Sequence, residues 1–137
     1  MKRTAINPSK WGLNFQFNQA ELIEETTRTL QVSGQVALKD DPASPIGVSV
    51  ECPNDLPGQM RVTLANIDKV LAEAGFDRSN IVHIRLYTTD IDGFLENYGI
   101  YAEWISEAGV KPANTLLGVA RLAFPEMMVE IEITAVG

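Results

Sequence analysis

The most regular pattern of apolar and polar positions lies at the end of the chain and predicts a half-buried β-strand over residues 127–136. Four apolar residues alternate there with three polar residues, so the two sets occupy opposite faces of the strand. The apolar set is Val129, Ile131, Ile133 and Ala135, and the polar set is Glu130, Glu132 and Thr134. Further strands are predicted at 81–88, which is short and rich in β-branched and aromatic residues, and at 113–122, 26–38 and 15–20.

Two other segments carry apolar residues at helical spacing. Candidate cap residues lie at both ends of each segment. Short polar side chains favour helix starts and glycine favours helix ends, so these residues indicate where each helix begins and ends. The predicted caps are Asn54 or Asp55 and Gly75 for the first helix, and Asp90 or Asp92 and Gly109 for the second. The residues of the second helix predicted to face inward are Phe94, Leu95, Tyr98, Ala102 and Ile105. Residues 1–15 are predicted to form an irregular arm, and residues 39–47 a loop.

The resulting order β-β-α-β-α-β-β predicts an α+β fold in which both helices cover one face of a mixed sheet. With 137 residues, 45% of them apolar, the chain has the size and composition of a single domain, residues 1–137. The second sheet face carries Glu130 and Glu132 and has two interpretations. It is either a solvated face or a face through which several copies associate, with one carboxylate drawn into a pocket between subunits, where burial raises its pKa.

Charge and residue counts narrow the possible partners. The formal net charge of −7 repels phosphate backbones and anionic membranes, so we expect neither nucleic acid nor membrane as a partner. One cysteine and one histidine cannot assemble a zinc site from sulfur and nitrogen ligands, and no cofactor motif is present. Cys52 has no neighbouring cation that would activate its thiol, and His83 is predicted to be structural. No apolar run approaches the length of a membrane span, and we predict a cytoplasmic protein.

Several segments together resemble the RidA/YjgF family of reactive-intermediate deaminases. The most specific are the run from Pro112 to Leu122, PANTLLGVARL, and the segment VEIE that contains Glu130. Ser33-Gly34-Gln35, the helix beginning near Gln59 and the strand exit Thr88-Thr89-Asp90 resemble other parts of the family. The resemblance implies a homotrimer of chorismate-mutase-like subunits, with active clefts between neighbouring subunits.

The resemblance also implies a reaction, hydrolysis of an enamine or imine to a carbonyl compound and ammonia. The deaminating members hold the substrate carboxylate with an arginine two residues after the proline, where this chain has Asn114. An amide has no net charge, so the substrate is expected to differ from a simple 2-imino acid. Arg85 is the candidate for a replacement cation. The alternative interpretation is that Arg85 forms an ion pair with an acidic neighbour.

The other site residues implied by the resemblance each have a structural alternative. Glu130 corresponds to the carboxylate that orients or activates water, or it is an interfacial acid. Ser33 and Gly34 approach the ligand, or they form a β-bulge. Phe17 and Tyr98 line the cleft, or they pack in the core. Asn114 binds substrate through its amide, or bonds to backbone at a strand end, while N–H groups near Thr115 polarise the leaving nitrogen.

The sequence and the resemblance are compatible with three functions. The first is a trimeric hydrolase that deaminates a small imine or enamine, and the second is a non-catalytic trimer that binds a small metabolite with the same fold. The third follows the older family label of endoribonuclease L-PSP, which the acidic charge of the chain disfavours. Ammonia release from imines generated in solution distinguishes the first two.

Overall fold

The computed structural model describes all residues, 1–137, and contains eight strands and three α-helices. The strands are β1 Lys2–Ile6, β2 Ala20–Glu24, β3 Thr29–Gln35, β4 Leu38–Asp40, β5 Val48–Val50, β6 Ile81–Thr88, β7 Ala113–Gly118 and β8 Val129–Val136. The α-helices are α1 Leu56–Glu73, α2 Ile91–Glu96 and α3 Tyr98–Ser106, and two short 3₁₀ helices span Trp11–Phe15 and Arg78–Asn80. None of the helices combines the length and apolar character needed to cross a membrane.

The main sheet has four strands in the order β3-β8-β6-β7. Strand β8 runs antiparallel to both of its neighbours, whereas β6 and β7 are parallel, so the sheet is mixed as predicted. Strands β1 and β2 form a separate antiparallel pair, and so do β4 and β5. The main sheet positions the candidate site, because β7 lies at its edge while β8 lies inside it.

Helix α1 begins and ends at the residues that the sequence indicated. The Asp55 carboxylate accepts a hydrogen bond from the Gly58 N–H at 3.1 Å, which caps the first turn. Beyond the last turn Gly75 adopts a φ of +71°, a left-handed conformation that glycine tolerates without steric cost. Apolar side chains of α1 are buried against the sheet and α3, and the predicted first helix is confirmed.

One face of the sheet is packed and the other is open. Ile84 and Leu86 of β6 are buried with Ile131 and Ile133 of β8 beneath the helices. The alternate positions of β6 and β8 lie on the open face, where the register pairs His83 with Thr134, Arg85 with Glu132 and Tyr87 with Glu130. The alternation predicted for residues 129–135 is therefore confirmed, as is the placement of the helices on one face.

The start of the chain differs from the prediction. Residues 15–20 are not a strand, since a 3₁₀ helix ends at Phe15 and β2 begins only at Ala20. The expected irregular arm contains β1, and the expected loop at 39–47 contains part of the β4–β5 hairpin. Strand β1 is missed because four of its five residues are exposed, so it lacks the alternation that marks a half-buried strand.

Two further boundaries are corrected by local geometry. The second helix is divided at Asn97, whose side-chain amide donates to the Gly93 carbonyl at 2.8 Å and whose backbone leaves the helical conformation. Leu95, predicted to face inward, is 47% exposed. The strand predicted at 113–122 ends at Gly118, because its partner β6 ends at Thr88, directly opposite Gly118.

Candidate functional site

Glu130 lies on the open face of the sheet, directly beside a β-bulge in the neighbouring strand. The register between β3 and β8 shifts between Val32 and Gln35, and Ser33-Gly34 occupies the bulge. A Cβ atom added to Gly34 would lie 2.1 Å from Glu130 Oε1. Gly34 is therefore the residue that gives the Glu130 carboxylate its position, since any side chain there would displace it.

The two glutamates of β8 have different electrostatic environments. Burial raises the pKa of Glu130, and the nearby charge of Glu132 adds to the rise. The negative charge of Glu132 is compensated, because its carboxylate forms an ion pair with Arg85 Nη1 at 3.7 Å and accepts a hydrogen bond from Tyr87 Oη. That hydrogen bond is also the main reason why the pKa of Tyr87 is raised. Glu130 is thus a half-buried carboxylate with a raised pKa and no cation of its own, the properties of a group that can exchange a proton.

Arg85 therefore has the acidic neighbour that its ion-pair interpretation required. It lies on the open face opposite Thr115 of β7 in the register, while Asn114 pairs with Ile84 on the packed side. Within one protomer the Arg85 guanidinium is consequently on the other side of the sheet from Asn114.

Asn114 lies at the sheet edge among aromatic side chains. Its Nδ2 donates to Tyr98 Oη at 3.4 Å, and Tyr98 Oη donates to the Phe15 carbonyl at 2.6 Å. An apolar cavity of about 300 Å³, here called the aromatic cavity, opens beside this pair. Its lining consists of Trp11, Phe15, Phe17, Leu95, Tyr98, Asn114 and Leu116. Burial raises the pKa of Tyr98, although its contact with Asn114 acts in the opposite direction.

The segment before β2 forms the outer wall of this cavity. The rings of Phe15 and Phe17 stack with centroids 6.4 Å apart, Trp11 meets Phe17 edge to face at 5.3 Å, and Phe15 meets Tyr98 at 5.9 Å. A second cavity of about 370 Å³, here called the edge cavity, shares Phe17 and Asn114 with the aromatic cavity. It is also lined by Trp11, Asn18, Gln19, His83, Ala113 and Thr115.

The structure divides the predicted site residues into two groups. Phe17, Tyr98 and Asn114 meet around the aromatic cavity, and Thr115 joins Phe17 and Asn114 at the edge cavity. Glu130, Gly34 and the exposed Ser33 lie together on the open face, which Arg85 shares. Strand β6 separates β7 from β8, so one protomer does not bring Asn114 and Glu130 into contact.

Several cavity residues were missed by the sequence reasoning. Trp11 and Phe15 are 56% and 42% exposed, and Leu116 also lines the aromatic cavity. The available signal was three aromatic residues within Trp11–Phe17, a segment that spans the predicted arm and the start of the strand predicted at 15–20. His83 lines the edge cavity, and its pKa is lowered by burial and by the charge of Arg85. No cluster of three or more metal-binding side chains is present.

The chain thus combines a small α+β fold, with helices on one face of a mixed sheet, and a half-buried glutamate on the other face. The family model described as "Endoribonuclease L-PSP" matches residues 14–137, and the chain belongs to this family, which includes the Rid and YjgF proteins. The crystal structure of YyfB from Yersinia pestis, described as a Rid family protein of unknown function, has a TM-score of 0.80 and 31% identity, covering 99% of each chain. The YjgF-type fold is therefore confirmed.

Two relatives extend this similarity. A RutC family protein of Aquifex aeolicus is 37% identical over 112 residues, which is 82% of this chain and 83% of the relative. The mitochondrial protein mmf2 of Schizosaccharomyces pombe is 29% identical over 136 residues, 99% of this chain and 98% of the relative. The similarity thus extends over nearly the whole chain.

Proposed function

We propose that the chain hydrolyses a small imine or enamine to a carbonyl compound and ammonia, in clefts between the subunits of a homotrimer. The observation that carries this proposal is the environment of Glu130. A carboxylate with a raised pKa and no cation of its own lies beside the Ser33-Gly34 bulge on an open sheet face. Such a group can take a proton from water and return it within one reaction.

The division of the site residues supports a shared cleft. Asn114, Thr115, Phe17 and Tyr98 surround the sheet edge, whereas Glu130 lies beyond β6 on the open face. A neighbouring protomer that covers the open face would place its own sheet edge near Glu130. Both halves then contribute to one cleft, and the exposed polar face is covered in the same step.

The proposed mechanism needs no cofactor. Glu130 accepts a proton from water as the water oxygen bonds to the carbon of the C=N group and the π electrons move to nitrogen. Donors at the sheet edge, including N–H groups near Thr115, polarise the nitrogen. Glu130 then returns this proton to the nitrogen, which gives a neutral carbinolamine. As the carbinolamine collapses to C=O, its hydroxyl proton passes through Glu130 to the nitrogen, which departs as ammonia. One water is consumed for each C=N bond broken.

The test is a comparison of Glu130→Gln with the wild-type chain on imines generated in solution by an amino-acid or amine oxidase. Glutamine keeps the shape of the side chain but cannot take the proton, so the rate should fall by about 10²–10⁴-fold. Glu24→Gln, a change at an exposed glutamate of β2 that pairs with Lys2, is the matched control and should keep the wild-type rate. Imine hydrolysis at the wild-type rate in Glu130→Gln would show that Glu130 is not the proton acceptor.

A second function is favoured by the uncharged aromatic cavity. A non-catalytic trimer that binds a small metabolite needs the cavity and the Asn114 amide but makes no use of the raised pKa of Glu130. Saturable binding without accelerated ammonia release from any imine would support this function over hydrolysis.

Ribonuclease activity and location are separate expectations. We expect no RNA binding, because the chain carries a net charge of −7, and tight binding that weakens steeply with salt would contradict this expectation. A cytoplasmic location stays a prediction, and mmf2 is a mitochondrial relative.

A further inference from the structure

The two cavities beside Asn114 are lined by no lysine, arginine, aspartate or glutamate. Their lining is aromatic, aliphatic, hydroxyl and amide, and His83 is the only side chain among them that titrates near neutrality. Burial and the charge of Arg85 lower the pKa of His83, which favours the neutral form of its imidazole. Within one protomer, the lining of the two cavities therefore supplies no cation that could pair with a carboxylate.

The polar groups around Asn114 are neutral and partly unused. The Asn114 amide donates one N–H to Tyr98 Oη. Its second N–H and its carbonyl oxygen remain available to another partner. The fully buried Tyr101 packs against Tyr98 with ring centroids 5.4 Å apart, and Tyr101 Oη has no hydrogen-bond partner. Burial raises the pKa of Tyr101 while the neighbouring Asn114 amide opposes the rise, although the two groups do not meet hydrogen-bond geometry.

The size and walls of the aromatic cavity limit what it can hold. A volume of about 300 Å³ lies at the lower end of the range for small-molecule pockets and fits a single ring with a short chain. Rings at its mouth offer edge and face contacts to a further ring. A carboxylate placed against these apolar walls would lose part of its hydration without gaining a cation from the lining, which is unfavourable.

We propose that this site takes an uncharged imine that carries an apolar ring, with its C=N–H group bonded to the Asn114 amide, and that it rejects 2-imino acids. The proposal rests on the proposed function only for the identity of the reacting group. The preference for a neutral ligand over an anionic one belongs to the cavity itself and can be measured without turnover.

The first experiment measures binding by calorimetry at neutral pH with phenylacetamide and phenylacetate, which share a ring and differ in charge. Phenylacetamide should bind at least about tenfold more tightly. Phe17→Ala should weaken its binding, whereas Ile46→Ala, a change at a residue 62% exposed in the β4–β5 loop, should not. Equal or tighter binding of phenylacetate, or no binding of either compound, would overturn the proposal.

Substitution at Asn114 adds a reciprocal test. Asn114→Arg introduces the missing cation and should reverse the order of the two affinities. Should that variant fail to fold, the nearly isosteric Asn114→Asp should weaken phenylacetate binding further, because it adds a repelling charge. A preference for phenylacetamide unchanged in the folded variants would contradict a role for Asn114.

The second experiment measures turnover with a matched pair of imines. An amine oxidase acting on 2-phenylethylamine gives the neutral imine, and an amino-acid oxidase acting on phenylalanine gives the same ring with a carboxylate. We expect faster hydrolysis of the neutral imine. Hydrolysis of neither imine, with the binding preference intact, would reject the proposed function alone, whereas faster hydrolysis of the 2-imino acid would reject the substrate class alone.

Discussion

Gly34 determines how closely strand β3 approaches the carboxylate on which the mechanism depends. A methyl group there would meet Glu130 Oε1, the free end of a flexible side chain that has no ion-pair partner. Gly34→Ala should therefore displace the carboxylate and reduce imine hydrolysis by about tenfold or more, while stability changes by less than about 1 kcal/mol. Ammonia release and urea unfolding of the same samples test both parts.

Gly99→Ala is the matched control for that prediction. Gly99 lies exposed in α3 with open space around the position of an added Cβ, so alanine should slightly stabilise the helix and leave activity unchanged. A Gly34→Ala variant with wild-type activity would show that the position of Glu130 is unimportant.

The raised pKa of Glu130 also has a consequence for stability. Because burial disfavours the ionised form, the folded state retains the proton to higher pH than the unfolded state does. Wild-type stability should then fall as pH rises from the ordinary glutamate pKa through the raised value, and Glu130→Gln should lack this loss. The stability of Glu130→Gln relative to wild type should increase from acidic to neutral pH in urea unfolding at fixed protein concentration. A constant difference, or a decrease, would contradict the assigned environment.

The residues of the site were predictable to different degrees. Glu130 was marked by strict alternation and by resemblance, and Gly34 by its interruption of a strand pattern. The close approach of Gly34 to the Glu130 carboxylate was not predictable, because it depends on a bulge that shifts the register of β3 against β8. Trp11 and Phe15 lie at the two ends of a short 3₁₀ helix that the sequence does not mark, because exposed aromatic residues carry no periodic signal.

Helix α1 owes its first turn to one side chain. Asp55 Oδ1 accepts the Gly58 N–H at 3.1 Å, and Asp55→Ala should cost about 0.5–2 kcal/mol of unfolding free energy because this N–H then loses its partner. Asparagine can accept the same hydrogen bond, so Asp55→Asn should retain most of the stability. Urea unfolding checks both variants, and equal destabilisation of the two would argue against capping as the cause.

Elements with strong periodic signals were predicted well, and those defined by tertiary partners were not. Strand β6 was predicted with its observed bounds, since β-branched and aromatic residues fill it from end to end. The end of β7 depends on where β6 stops, which is not visible in the sequence of β7 itself. The division between α2 and α3 depends on the Asn97 side chain competing for a backbone carbonyl.

At the scale of the whole molecule, helices cover one face of the main sheet, and the other, open face carries Glu130 with its raised pKa. The fold class followed from the order of elements, and the comparisons place the chain in the family that the sequence resembles. The separation of Asn114 and Glu130 is visible only in the strand order. Their strands, β7 and β8, follow each other in the sequence, but β6 lies between them in the sheet. The proposed trimer reunites them.

The most direct test of this shared cleft is complementation between two inactive variants. Glu130→Gln removes the base, and Asn114→Phe fills the cavity at the sheet edge. After the two are mixed in equal amounts, unfolded and refolded together, a cleft that takes Glu130 from one protomer and Asn114 from its neighbour should be intact in about one quarter of cases. We predict recovery of about that fraction of wild-type imine hydrolysis. Mixed oligomers with no more activity than the separately refolded variants would contradict the account.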